Sequence, residues 1–159
     1  MLPKDKQERV LLFIARHGQA KETSFSVGPT LDQRGLLEAK LLGENLKKDK
    51  VDIKHIHHSG ITRSTQTAEI ILQELDSSNL ELNKNLAESF DKNTGYWLTF
   101  IETLTETTLL VGHFPTVQFI LNLSNPNLNF EFTTGSCIGL LKNENNLTYS
   151  EAWSYKIPK

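Results

Sequence analysis

Arg16-His17-Gly18 closes the apolar run Val10-Leu11-Leu12-Phe13-Ile14-Ala15. It thereby delivers a guanidinium, an imidazole and a permissive glycine to the end of one element. An imidazole can attack phosphorus as a nucleophile, and a guanidinium holds phosphate oxygens bidentately. Glycine lets backbone come close to a ligand. The run is too short for a long helix and β-branched near both ends, so it predicts a buried strand, Val10 to Ala15. A solvated loop histidine would carry the same triplet, so the three residues alone leave both readings open.

Three further segments repeat the arrangement. Thr62-Arg63-Ser64-Thr65-Gln66-Thr67-Ala68 follows the strand-like stretch Ile53 to His58 and opens a helix. Arg63 therefore falls in a first turn, where free N–H groups and the helix dipole favour an anion. Leu109-Leu110-Val111 ends at Gly112-His113-Phe114-Pro115, with proline suited to the start of a helix. Leu86-Ala87-Glu88-Ser89 adds an acid just past the alternating Leu80-Glu81-Leu82-Asn83. In α/β sheets, ligands bind at such strand ends.

This set resembles the histidine phosphatase, or phosphoglycerate mutase-like, superfamily. The likeness rests on Arg16-His17-Gly18-Gln19-Ala20, Leu31-Asp32-Gln33-Arg34-Gly35, His58 through Ala68, and Gly112-His113-Phe114-Pro115, in the family's order from roughly residue 10 to 142. Among its branches the short SixA-type phosphohistidine phosphatases are most similar in size and in Phe132-Thr133-Thr134 before a closing apolar strand. The family usually has proline where this chain has Gly60 and alanine where it has Ser64, two departures that flank Arg63 and bear on the loop presenting it.

The resemblance implies a phosphatase with a covalent phosphohistidine intermediate. His17 is then the nucleophile, Arg16 and Arg63 bind the phosphate, and His113 hydrogen-bonds the phosphoryl oxygens. Glu88 is the candidate proton donor to the leaving group and later base for water, a role that needs a raised pKa. An exposed loop glutamate is its other reading, and Glu22 and Asp91 compete for the role. Gln19 and Ser24 are candidate pocket donors, with solvated loop as the alternative. The fold implied is α/β, a three-layer phosphoglycerate mutase-like arrangement with a mostly parallel mixed sheet flanked by helices. No cofactor or metal is implied, because the arginines carry the positive charge.

Two other motifs are weaker. His55, His57 and His58 cluster on one strand, but no acid or cysteine with ligand spacing accompanies them, so they read as strand-edge histidines with ordinary hydrogen bonds. Gly112-His113-Phe114-Pro115 lacks the lysine and spacing of a P-loop.

Substrate size is read from spacing. Only 25 positions separate Arg63 from Glu88, and 25 more lead to His113, leaving little chain for a roof. An open, shallow site admits a phosphate displayed on another protein, so phosphohistidine of a signalling or phosphotransfer protein is the expected substrate. A small phosphomonoester is the alternative. A mutase, which must exclude water, suits an open site poorly. A non-catalytic phospho-binding module is the reading from another class; loss of the nucleophile or an arginine would mark it, and both are present.

The elements that must position these groups follow from periodicity. Residues 16 to 30 read as a polar loop, then a helix capped by Asp32 with Leu36, Leu37, Ala39, Lys40, Leu41, Leu42 and Leu46 as its inner face and Lys47, Lys48 and Lys50 near its end. Helices are expected from Thr62 to Leu75, Thr94 to Leu104 and Pro115 to Leu123, and a strand from Thr108 to Gly112. A closing hairpin, Ser136 to Lys142 and Leu147 to Tyr155, turns at Glu144-Asn145-Asn146 and makes the sheet mixed.

Composition agrees. The 159 residues, 38% hydrophobic and 23% charged, suit one domain over 1–159 with residues 1–9 as a short N-terminal extension. A net charge of −2 gives no case for nucleic acid or anionic membrane as a partner. No run is long enough to span a bilayer, and the charged start is no secretory signal. The single Cys137 cannot form an internal disulfide and reads as a buried structural thiol, so a reducing cytoplasm is the expected location. No feature of the sequence reports oligomeric state.

Overall fold

The structure, a computed structural model, describes residues 2, 9–22, 28–76, 78–144 and 148–158, the side chains of residues 90 and 91 excepted. Ser24, the side chain of Asp91, and Asn145, Asn146 and Leu147 of the expected hairpin therefore lie outside the described residues.

The chain runs β1 (Leu11–Arg16), α1 (Gln33–Lys48), β2 (His55–His58), α2 (Thr62–Glu74), β3 (Asn79–Leu82), a 3₁₀ turn (Lys84–Leu86), α3 (Phe90–Thr103), β4 (Thr108–Gly112), α4 (Thr116–Ser124), β5 (Cys137–Lys142) and β6 (Tyr149–Tyr155). The six strands form one sheet in the order β3-β2-β4-β1-β5-β6. The first four strands pair in parallel, and β5 runs antiparallel to both β1 and β6, so the sheet is mixed as expected.

Alternation along β1 divides the core in two. Leu11, Phe13 and Ala15 join Leu42 and Leu46 of α1 and Ala68 and Ile71 of α2 on one face. Leu12 and Ile14 meet Trp97 and Ile101 of α3 and Val117, Ile120 and Leu121 of α4 on the other. A strand buried on both faces has no polar positions to alternate with, which is why β1 reads as a continuous apolar run. Leu2, in the expected extension, is 1% exposed and belongs to the first of these clusters.

Two sequence expectations need correction. The inner face of α1 is Gly35, Glu38, Ala39, Leu42, Gly43 and Leu46, while Leu36 and Leu37 are exposed. A buried carboxylate has replaced leucine on that face because it has polar partners there. Helix α3 begins at Phe90, four residues before Thr94, since a polar first turn is compatible with a helix N-terminus. The Asp32 cap is as expected: its Oδ1 accepts the Gly35 N–H at 2.7 Å.

Candidate active site

The register of the two central strands sets the site. Arg16 lies opposite Gly112 in the parallel β1–β4 ladder, so His17 and His113 are the next residues out, side by side at the carboxyl end of the sheet. The His17 N–H donates to the Gly112 carbonyl at 3.0 Å, and the two rings stand 5.0 Å apart between centroids. Arg63, in the first turn of α2 beyond β2, reaches the same place: its Nε is 3.2 Å from His17 Nε2.

Hydrogen bonding fixes which nitrogen of His17 can react. Nδ1 lies 2.7 Å from the Gly18 carbonyl, which can only accept, so Nδ1 carries the proton. The lone pair is left on Nε2, where Arg63 donates to it. Burial, with the charges of Arg63 and Arg16 adding to it, pushes the His17 pKa down to about 4, the Gly18 contact opposing them. The imidazole is therefore neutral near pH 7 and nucleophilic at Nε2.

His113 is held from the other side. Its Nε2 is 2.7 Å from Ser59 Oγ, and its buried Nδ1 has no partner among the described residues. Burial first, then His17 and the two arginines, lowers its pKa to about 3. Arg16 Nη1 donates to the Phe132 carbonyl at 2.9 Å, while its buried Nε has no partner among the described residues. The Arg16 guanidinium also lies 5.9 Å from the centre of the Phe114 ring, which is 56% exposed. Unpartnered buried donors are costly, and an oxyanion between the two arginines could supply acceptors to both.

A clamp behind His17 is not visible in the sequence. Glu38, 1% exposed, accepts the Gln19 N–H at 2.8 Å and the Thr134 hydroxyl at 3.1 Å, and pairs with Arg34 Nε at 3.3 Å. The Gly135 N–H beside it donates to the carbonyls of Arg16 and His17. Thr67 acts likewise from α2: its Oγ1 accepts the Gly18 N–H at 3.0 Å and donates to the Arg63 carbonyl at 2.8 Å. Gly18 and Gly35 make the loop's approach to α1 possible, since a Cβ on Gly18 would stand 2.5 Å from the Gly35 carbonyl oxygen and one on Gly35 would strike the Gln19 carbonyl.

A family model for the histidine phosphatase superfamily (branch 1) matches residues 12–114. The chain belongs to this superfamily. A phosphoglycerate mutase from Schizosaccharomyces pombe is 34% identical over 80 residues, a stretch covering 47% of this chain and 38% of that relative. The protein histidine phosphatase SixA, solved with tungstate, shares the fold with a TM-score of 0.78 at 24% identity, over 91% of this chain and 96% of that one. A phosphoserine phosphatase from Entamoeba histolytica, solved with 3-phosphoglyceric acid, has a TM-score of 0.63 at 13% identity over 93% and 98%.

Within this member of the superfamily the remaining candidates fall as follows. Glu88 is exposed and follows the 3₁₀ turn, two residues beyond Leu86, whose side chain lies beside Gly112. Glu22 is exposed as well. Gln19 has its donors engaged within the loop: its N–H goes to Glu38, and its side-chain amide donates to Asp32 at 2.8 Å, supporting the α1 cap. At Gly60 φ is +88°, a conformation closed to the family's usual proline. The Ser64 hydroxyl donates to the Val111 carbonyl at 2.8 Å and accepts the Ser59 N–H at 3.0 Å, contacts alanine could not make.

The histidines of β2 also differ from expectation. β2 is an interior strand, and tertiary folding brings His55 to Glu81 at 2.7 Å and to Glu106 at 3.0 Å, acids that linear spacing concealed. Those hydrogen bonds raise the His55 pKa, Glu106 foremost. Among the described residues no group of three or more such side chains is disposed to hold a metal ion.

Proposed function

We propose that this chain is a phosphatase working through a phosphohistidine intermediate on His17, and that its substrate is phosphohistidine on a signalling or phosphotransfer protein. The observation that carries the reaction class is the neutral His17 with its lone pair on Nε2, beside His113 and between Arg16 and Arg63.

The sequence of events follows from that geometry. Phosphate oxygens draw Arg63 off Nε2 and engage both guanidinia. Nε2 then attacks phosphorus in line, forming the N–P bond as the bond to the leaving group breaks. Developing charge on the phosphoryl oxygens is met by Arg16, Arg63 and the free nitrogen of His113. Water attacks the phosphohistidine in the second step, releasing inorganic phosphate and restoring the neutral imidazole. A phosphoimidazole protonated on its other nitrogen leaves as neutral imidazole and needs no acid, which agrees with an exposed Glu88. The likeness to SixA over nearly the whole of both chains supports the same substrate class.

A small phosphomonoester is the second reading, favoured by the presence of Glu88: an alkoxide leaving group requires a proton, and this exposed acid two residues beyond Leu86 is the candidate to supply it. The test compares dephosphorylation of a phosphohistidine-bearing phosphotransfer domain with a panel of small phosphomonoesters, with His17→Ala as control. Preference for the phosphoprotein, abolished in the variant, is expected. Preference for an ester would move the function to metabolism. Phosphate binding without turnover on any substrate would make the chain a binding module.

A further inference from the structure

We propose that Ser59 is a positioning residue that holds His113 in the Nδ1-protonated tautomer, and that Ser64 fixes Ser59 in place for that task. Ser59 is 4% exposed at the end of β2. Its Oγ accepts the Ile61 N–H at 3.1 Å and stands 2.7 Å from His113 Nε2. A hydroxyl has one proton to give. With the Ile61 N–H arriving at one lone pair, that proton goes to Nε2, and the imidazole must then carry its own hydrogen on Nδ1. The reverse arrangement, Nε2–H donating to Oγ, would strand a buried hydroxyl proton and leave Nδ1 a bare acceptor facing the same buried surroundings.

The difference decides what His113 offers an incoming phosphate. Nδ1 is the buried nitrogen with no partner among the described residues. Protonated, it is a donor for a phosphoryl oxygen; bare, it repels one. Ser64 supplies the anchor: its hydroxyl donates to the Val111 carbonyl on β4 and accepts the Ser59 N–H, tying the turn after β2 to the strand that delivers His113. Positive φ at Gly60 then brings the Ile61 N–H back onto Ser59 Oγ. Two donations thus run from the Ser59 N–H to Ser64 and from Ser64 to the Val111 carbonyl, holding the turn, while the Ser59 hydroxyl is left to donate to His113 Nε2.

This inference rests on the reading of His113 as a phosphoryl-oxygen donor, and the experiment separates the two. Long-range proton–nitrogen correlation on the full chain, with His113 assigned by its loss in His113→Gln, reports which ring nitrogen is protonated. The wild-type protein is expected to show a protonated Nδ1 and a bare Nε2, and Ser59→Ala to lose that pattern while Ser59→Thr keeps it. In turnover, Ser59→Ala should lower kcat by about tenfold to a hundredfold, approaching the effect of removing an oxyanion donor, with recovery in Ser59→Thr. A protonated Nε2 in the wild-type protein overturns the proposal whatever the activity. A protonated Nδ1 that persists in Ser59→Ala overturns it too. The expected tautomer together with normal turnover by His113→Gln would instead sink the role of His113 and leave the tautomer assignment standing.

Discussion

Replacing Glu38 offers the most direct test of how the loops around His17 are held. Its carboxylate is 1% exposed and bridges two loops, one through the Gln19 N–H and one through the Thr134 hydroxyl. A hydrogen bond to a charged group contributes about 1.5–3 kcal/mol, and a neutral one about 1 kcal/mol. The third contact adds little: the Arg34 side chain is 53% exposed, and exposed pairs contribute about 0–1 kcal/mol. Glu38→Ala should therefore destabilise the protein by about 3–6 kcal/mol, the sum of the two bridging contacts to the carboxylate. Glu38→Gln keeps an oxygen for Gln19 and offers N–H to Thr134 Oγ1, so its cost should be smaller by the two neutral bonds it retains, about 1–4 kcal/mol, the lost charge assistance. Urea unfolding at constant m-value measures both. Turnover by the folded fraction should fall in the same order, since Glu38 borders the loops that carry Gly18 and Gly135 on either side of His17. A loss below about 1 kcal/mol in Glu38→Ala, or equal losses in the two variants, would refute the bridging argument.

Two further outcomes are expected. His17 and His113 have native pKa values of about 4 and about 3, both below their unfolded value through burial. Between about pH 6.5 and 4 the unfolded chain binds protons that the native imidazoles refuse, so stability should fall with pH by up to about 1.4 kcal/mol per unit per histidine. His55, raised by Glu106 and Glu81, acts in the opposite sense: its contribution is full below its unfolded pKa and is lost as pH rises through the higher native one. Urea midpoints from pH 4 to 8 check the balance, and an unchanged slope in His17→Asn would refute the assignment. Burial raises the Cys137 pKa, its thiol being 0% exposed. Native protein should resist a thiol-specific reagent and yield one thiol equivalent after unfolding; rapid native labelling would contradict the structure.

What was legible in the sequence was whatever depends on neighbours along the chain. β1 and β4 are short apolar runs ending in Arg16 and Gly112, each followed by a histidine, so their outer residues can be placed without coordinates. Arg63 fell in a first turn because a strand-like run ended just before it. The clamp was hidden for the opposite reason. Glu38 and Thr134 are 96 positions apart, and a glutamate on a helix gives no sign of which face it will occupy. Leu36 and Leu37 were placed inward on hydrophobicity alone, whereas the close packing of Gly35 against the loop at Gly18 and Gln19 set the rotation of α1. The acids on His55 are 26 and 51 positions away and meet it only through strand order. Ser59 could have been found from the register, since His58 lies opposite Val111, but that pairing is itself a tertiary fact.

The ladder position of the two histidines has a consequence for how the site tolerates change. Their separation of 5.0 Å is close to the spacing of neighbouring strands, about 4.8 Å. The backbone lattice thus sets the two histidines on neighbouring strands, and the bonds from Gly18, Arg63 and Ser59 set how their rings face. The segments joining β1 to β4 can lengthen or shorten without moving the two backbones apart. A slip of β1 against β4 by one residue is what would destroy it, moving one imidazole down a rung and turning it to the opposite face. Drift in the surrounding helices should change which molecule is admitted long before it changes the distance between these two strands.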